Sequence, residues 1–241
     1  MTQSYNQYQQ PIGFPVPEWS PRPYPQRIIL EGHHCSLEPV NSEEHAAALY
    51  EAYQLAKDDR DWTYLFSERP ATKDAFDVYI KNLEKSQDPL HFTIIDNHHN
   101  RPIGTVALMR IDPQHGVIEV GHVVFSPLLK QTIMSTEVHF LLMQYAIEQL
   151  GYRRYEWKCD SLNGPSRKAA QRLGFQFEGI FRQAIVYKNR SRDTAWFSII
   201  DKDWPQIKMA FESWLNPNNF DDQGKQKQSL QAIRTNYSDN K

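Results

Sequence analysis

Apolar positions along this chain switch between a period of two and a period of 3.6, and the switches mark its elements. His34–Val40 alternates as a strand and is closed by Pro39. Ser42 then opens a helix, with Glu43 and Glu44 in the first turn and Ala46, Leu49, Tyr50 and Tyr53 at helical spacing. A loop over Asp58–Pro70 precedes a second helix, Thr72–Lys85, with Phe76, Tyr79, Ile80 and Leu83 on one face. Three strands follow at His91–Asp96, Pro102–Ile111 and Val117–Phe125, parted by turns at His98–Asn100 and Asp112–Gly116. Ser135–Leu150 is apolar on more than one side, which predicts a helix packed between a sheet and other elements. Gly151 caps it. Arg154–Cys159 is a strand, and Pro165–Leu173 a short helix stopped by Gly174. Strands at Phe175–Glu178, Ala184–Lys188 and Thr194–Ile200 and an amphipathic helix at Pro205–Leu215 complete the pattern. The class expected is α+β: a mixed, mostly antiparallel sheet of about six or seven strands flanked by helices.

The two ends differ from this middle. Six prolines crowd residues 11–25 together with Phe14, Trp19 and Tyr24. Proline fixes φ and lacks an amide donor, so this stretch is neither a helix nor a central strand. Its rings fit an extended arm pinned across the domain. From Asn216 onward the chain is polar, and a frayed tail is expected. The organisation read from the sequence is an arm at 1–26, an α+β domain at 27–205, and a closing helix with polar tail at 206–241.

Composition narrows the function. The 241 residues are 40% apolar and include 12 Tyr, 12 Phe and 6 Trp, enough to bury a core. A formal net charge of −2 provides no basic field for a nucleic-acid backbone. Cys35 and Cys159 are too few for a disulfide framework, which fits a reduced, cytoplasmic setting. No run approaches the roughly 18 apolar residues of a membrane span, and the polar, Gln-rich start lacks the features of a secretory signal. His98-His99 is a turn pair without further ligands at metal-binding spacing, so no metal is expected. Cys159, in a strand with no His pattern beside it, reads as buried rather than nucleophilic.

The candidate chemistry is an ordered series. The strand Val117–Phe125 ends at Ser126-Pro127, and the loop Leu128–Met134 leads to a helix opening Ser135-Thr136-Glu137. Downstream come Asn163-x-x-Ser166, Leu173-Gly174-Phe175, Glu178-Gly179 and the string Arg192–Ile199. In this order the motifs resemble the GCN5-related N-acetyltransferases (GNAT), in particular the branch of ribosomal-protein N-terminal acetyltransferases, over roughly residues 27–205. The resemblance implies the GNAT fold and transfer of an acetyl group from acetyl-CoA to an amine acceptor, a small molecule or a peptide N-terminus. It places the coenzyme A pyrophosphate at the helix start, where amides and the helix dipole favour an anion. The family's glycine-bearing loop is replaced here by Lys130-Gln131-Thr132-Ile133-Met134-Ser135-Thr136. Lys130 would supply charge, and Thr132, Ser135 and Thr136 hydroxyl donors; a plain Ser/Thr helix cap is the alternative reading.

By the same resemblance Ser166 lies near the thioester sulfur and protonates the departing thiolate, and Asn163 fixes the strand end or the cofactor's amide arm. A local capping role for both is the alternative. An amide near Val124 or Phe125 would face the carbonyl oxygen as charge develops. Glu119, a carboxylate inside an apolar strand, is the candidate base, or else a salt-bridged face residue. His122, on the opposite face, is a candidate substrate contact. The Glu that some relatives carry after the E-G pair falls here near Ile185, so that base does not transfer. Trp62 and Tyr64, in the loop between the first helices, are acceptor-site candidates or core packing. Transfer of a larger acyl group such as succinyl, and a CoA-binding module without chemistry, are the competing functions. A homodimer is compatible with the sequence.

Overall fold

The computed structural model describes residues 4–238; residues 1–3 of the expected arm and 239–241 of the expected tail lie outside it. Strands β1 (Ser4–Tyr5) and β2 (Pro11–Ile12) pair as a small exposed hairpin. The rest is one eight-stranded sheet: β3 (Leu30–Glu31), β4 (Cys35–Pro39), β5 (Leu90–Asp96), β6 (Arg101–Asp112), β7 (Val117–Phe125), β8 (Arg154–Asp160), β9 (Gln176–Tyr187) and β10 (Arg190–Ile200). Its order is β3-β4-β5-β6-β7-β8-β10-β9, antiparallel except where β7 and β8 run parallel. That is at least one strand more than expected. β3, only two residues long, has no periodicity to read. Residues 176–187, expected as two strands, form the single edge strand β9, carried past Gly179 (φ 156°) by bulges in its pairing with β10. An edge strand needs no inward alternation, so its middle, Gly179 to Gln183, with no period of two, looked like a break.

Two helices, α1 (Ser42–Gln54) and α2 (Lys73–Lys85), pack with their aromatic stripe against one face of β5–β7. Asn41 caps α1 through the amides of Glu43 and Glu44, and Thr72 caps α2. On the opposite face lie α3 (Ile133–Gln144), which runs on as a π-helical turn over Tyr145–Gln149, α4 (Gly164–Leu173) and α5 (Trp204–Leu215), enclosing the larger core. Glu137 on α3 is buried because its carboxylate accepts the amides of His33, His34 and Cys35, which bolts the helix to the start of β4.

The polar tail is not frayed. A 3-10 turn at Pro217–Asn219, a bridge between Phe220 and Gln226, and helix α6 (Leu230–Ser238) fold it back on the domain. Leu230 is 1% exposed, and Arg234 donates to the carbonyls of Gln171 and Arg172 at the end of α4. Its buried anchors, Leu230 and Ile233, and the rings of Phe220 and Tyr237 that pack on the core are scattered among polar residues, too sparse to register as an apolar pattern. At the other end, Trp19 Nε1 donates to Gln114 O (2.9 Å) and Arg22 N to Pro113 O (3.0 Å). Tyr152 and Tyr145 meet the backbone of Pro23 and Gln26 through their hydroxyls.

Candidate active site

Strands β7 and β8 are paired only from Val117–Arg154 to Val120–Trp157. Beyond that they part. The cause lies in β7, where the pairing with β6 shifts by one residue between Gly121 and Val124, with His122 at φ 47°. Past this bulge Ser126 N bonds to Ile103 O, and strand alternation therefore turns Val124 toward β6. Tyr53 Oη, which also meets Thr105, donates to Val124 O on that side. By the same alternation the Phe125 amide faces away from β6, toward the gap.

The gap opens into a cleft of about 1740 Å³, above the roughly 300–1,000 Å³ of ordinary small-ligand sites. Its walls carry six Lys or Arg side chains against three Asp or Glu. On the α3–α4 side, Asn163 caps α4 by accepting Ser166 N (3.1 Å), so the Ser166 hydroxyl is not the cap. Ser166 Oγ instead accepts Trp157 Nε1 (3.0 Å), leaving its own O–H to donate elsewhere. Cys159 is buried beside Ser166, and burial pushes its thiol up, away from thiolate character.

At the start of α3 the hydroxyls expected to bind phosphate are engaged locally. Thr132 Oγ1 donates to Leu129 O and accepts Ser135 N; Ser135 Oγ donates to Thr132 O. Thr136 is buried and accepts Arg172 Nη1 (3.0 Å). Lys130 pairs with Asp61 across the cleft, and Gln131 takes the positive φ (61°) that a glycine would otherwise supply. The sequence reading missed Arg172. It lines the cleft, lies over the Trp214 ring (5.1 Å), and has no carboxylate within 4 Å among the described residues. Burial, and then the neighbouring charge of Arg234, pull its pKa down. Residues of the C-terminal segment, among them Phe220 and Lys225, wall this end.

On the other face of the sheet, Glu119 is 4% exposed. Its Oε2 lies 2.9 Å from Lys158 Nζ and 3.2 Å from Arg110 Nε. Burial raises its pKa, and Lys158 and Arg110 oppose that. Lys158 also pairs with Glu156 (2.5 Å) and sits 3.9 Å over the Trp196 ring. It was legible only as the outward step of a strand. His122 lines the cleft against buried His91 (ring centroids 5.1 Å), its pKa lowered by burial. Tyr64 borders the cleft and donates to Leu162 O. Trp62 does not border it. At 4% exposure it is packed edge-on to Tyr53 and Tyr79 in the α1–α2 core.

Among the described residues no three His, Cys, Asp or Glu are grouped to hold a metal, and no helix is long and apolar enough to cross a membrane. A sheet opened between two parallel strands, with a helix start on one side of the opening, defines an acetyltransferase architecture. The acetyltransferase (GNAT) domain family matches residues 35–176, and the chain belongs to that family. Among solved structures it is similar to a GCN5-related N-acetyltransferase from Brucella melitensis, with 48% identity and a TM-score of 0.90 over 91% of this chain and 100% of that one. An uncharacterised N-acetyltransferase, p20, from Bacillus licheniformis is 29% identical over 125 residues, 52% of this chain and 70% of that protein. The fold is shared with the ribosomal-protein alpha-N-acetyltransferase RimL in complex with coenzyme A, at a TM-score of 0.61 and 17% identity, over 73% of this chain and 99% of that one.

Proposed function

We propose that this GNAT enzyme transfers an acetyl group from acetyl-CoA to a primary amine by direct attack within a ternary complex. The parting of β7 from β8 after Val120 and Trp157 carries the reading. It joins a cation-bearing groove on one face of the sheet to the part of the same cleft that lies on the other. Acetyl-CoA occupies the groove, its pyrophosphate between the first turn of α3 and Arg172. Arg172 supplies the charge that Lys130, paired with Asp61, does not offer freely. The thioester reaches the gap, where the Phe125 amide meets the carbonyl oxygen. Glu119 takes the amine proton, directly or through water, and Ser166 returns one to the thiolate.

Two measurements test this. Acetyl-CoA should raise the melting temperature with its concentration, as mass action requires, and a panel of amines should include one that releases free thiol. A Ser166→Ala variant should lose about 10²–10⁴-fold in kcat with CoA affinity nearly kept. A folded protein that neither binds acetyl-CoA nor releases thiol with any amine sinks the reading, and succinyl-CoA preferred as donor would replace acetyl with a larger acyl group.

A further inference from the structure

The part of the cleft on the Glu119 side holds a cation that the transfer chemistry does not use. Alternation along β10 buries Ala195, Phe197 and Ile199 in the large core and sends Thr194, Trp196 and Ser198 to the opposite face, which also carries Lys158. Arg192, beyond a bulge at Asp193, lines the cleft yet is only 6% exposed. Its Nε donates to Thr194 Oγ1 (3.1 Å), and the Phe66 and Tyr187 rings flank the guanidinium at 5.5 and 5.9 Å. Among the described residues neither Nη group meets an acceptor, and no carboxylate oxygen lies within 4 Å. Asp193, the next residue along β10, accepts Gln183 N (2.7 Å), and Asp160, opposite Thr194, has its oxygens engaged by Tyr187 Oη (2.8 Å) and Leu162 N (2.9 Å).

A buried guanidinium with hydroxyl and ring partners only is half of an ion pair. The rings flank it, it lines the cleft, and its Nη groups are unbonded among the described residues, so the fork is available to take a carboxylate bidentately. The position is on the acceptor side. Lys188 Nζ to Trp62 O and Arg190 Nη2 to Thr63 O (both 2.7 Å) tie the β9–β10 hairpin to the loop after α1. Arg192 is also close enough to Cys159, the neighbour of Ser166, to pull its thiol pKa down against burial. The ligand's anion and its reacting amine therefore lie near one another.

We propose that Arg192 binds a carboxylate on the acceptor, so that the substrate is a small amino-carboxylate, such as a free amino acid, rather than a polyamine. This rests on the acetyltransferase reading above. The experiment measures thiol release from acetyl-CoA with L-amino acids, their primary amides and the corresponding decarboxylated amines. Acetyl-CoA affinity is measured calorimetrically in parallel. At least one amino acid should exceed its own amide in kcat/KM by about tenfold or more. Arg192→Gln should erase that preference through KM, Arg192→Lys should keep part of it, and acetyl-CoA affinity should stay unchanged in both. If amides or decarboxylated amines match or exceed the acids in the wild type, the proposal is overturned while the transferase reading stands, whether or not the variants fold. If acetyl-CoA does not bind, both fall.

Discussion

Glu119 is a carboxylate kept under apolar and cationic cover. Desolvation favours its neutral form, and Lys158 and Arg110 favour the anion, leaving a pKa above the usual carboxylate range. A raised pKa means the base is lost sooner as the solution is acidified. The acceptor amine already costs one proton at any pH below its own pKa, which lies above neutrality. The log kcat/KM profile should therefore steepen by a second proton as pH falls through the Glu119 value. Glu119→Gln should lose that second limb along with about 10²-fold of activity at neutral pH. A profile of unchanged shape would leave Glu119 as a structural partner of Lys158.

At the scale of elements, the arm and the tail are secured by few contacts each. Gly116, at φ 63°, turns β6 into β7, and a Cβ there would sit 2.4 Å from the Trp19 ring. No other residue combines that turn with so close an approach. Gly116→Ala should lower the melting temperature by several degrees, and so should deleting residues 1–26. In the deleted protein the ring is gone and only the backbone strain remains. The two changes together should then cost less than their sum, a coupling that differential scanning calorimetry reads directly. Strict additivity, with no loss of stability on deletion, would show that the arm contributes nothing.

For the whole molecule, two histidines set the acid side of stability. His91 in β5 and His139 in α3 are buried, and burial lowers each from 6.5 to about 3. The native state keeps them neutral while the unfolded chain protonates them below pH 6.5, so stability falls as pH drops from 6.5 toward 3. At pH 5 each costs about 2 kcal/mol relative to pH 7. His91→Leu and His139→Leu should each flatten the fall in melting temperature between pH 7 and 5. A slope the same as that of the wild type would mean that these rings are charged in the fold.

The chain alone determined the succession of strands and helices from Cys35 to Leu173 and the family, because periodicity, caps and the ordered Asn163–Gly179 motifs are local. It also marked Glu119, a carboxylate inside an apolar strand, and, through the family's motif series, Ser166. Three things were decided only by tertiary structure. The β7 bulge, a matter of register against β6, turned the Phe125 amide into the gap. Whether a hydroxyl or a cation is free depends on its neighbours in space: Thr132, Ser135 and Lys130 are engaged, while Arg172 and Arg192 have no carboxylate within 4 Å among the described residues. Trp62, in the same loop as Tyr64, went to the core because Tyr53 and Tyr79, on the two helices that flank the loop, close over it. Local pattern specifies which faces exist, and long-range packing specifies what each face meets.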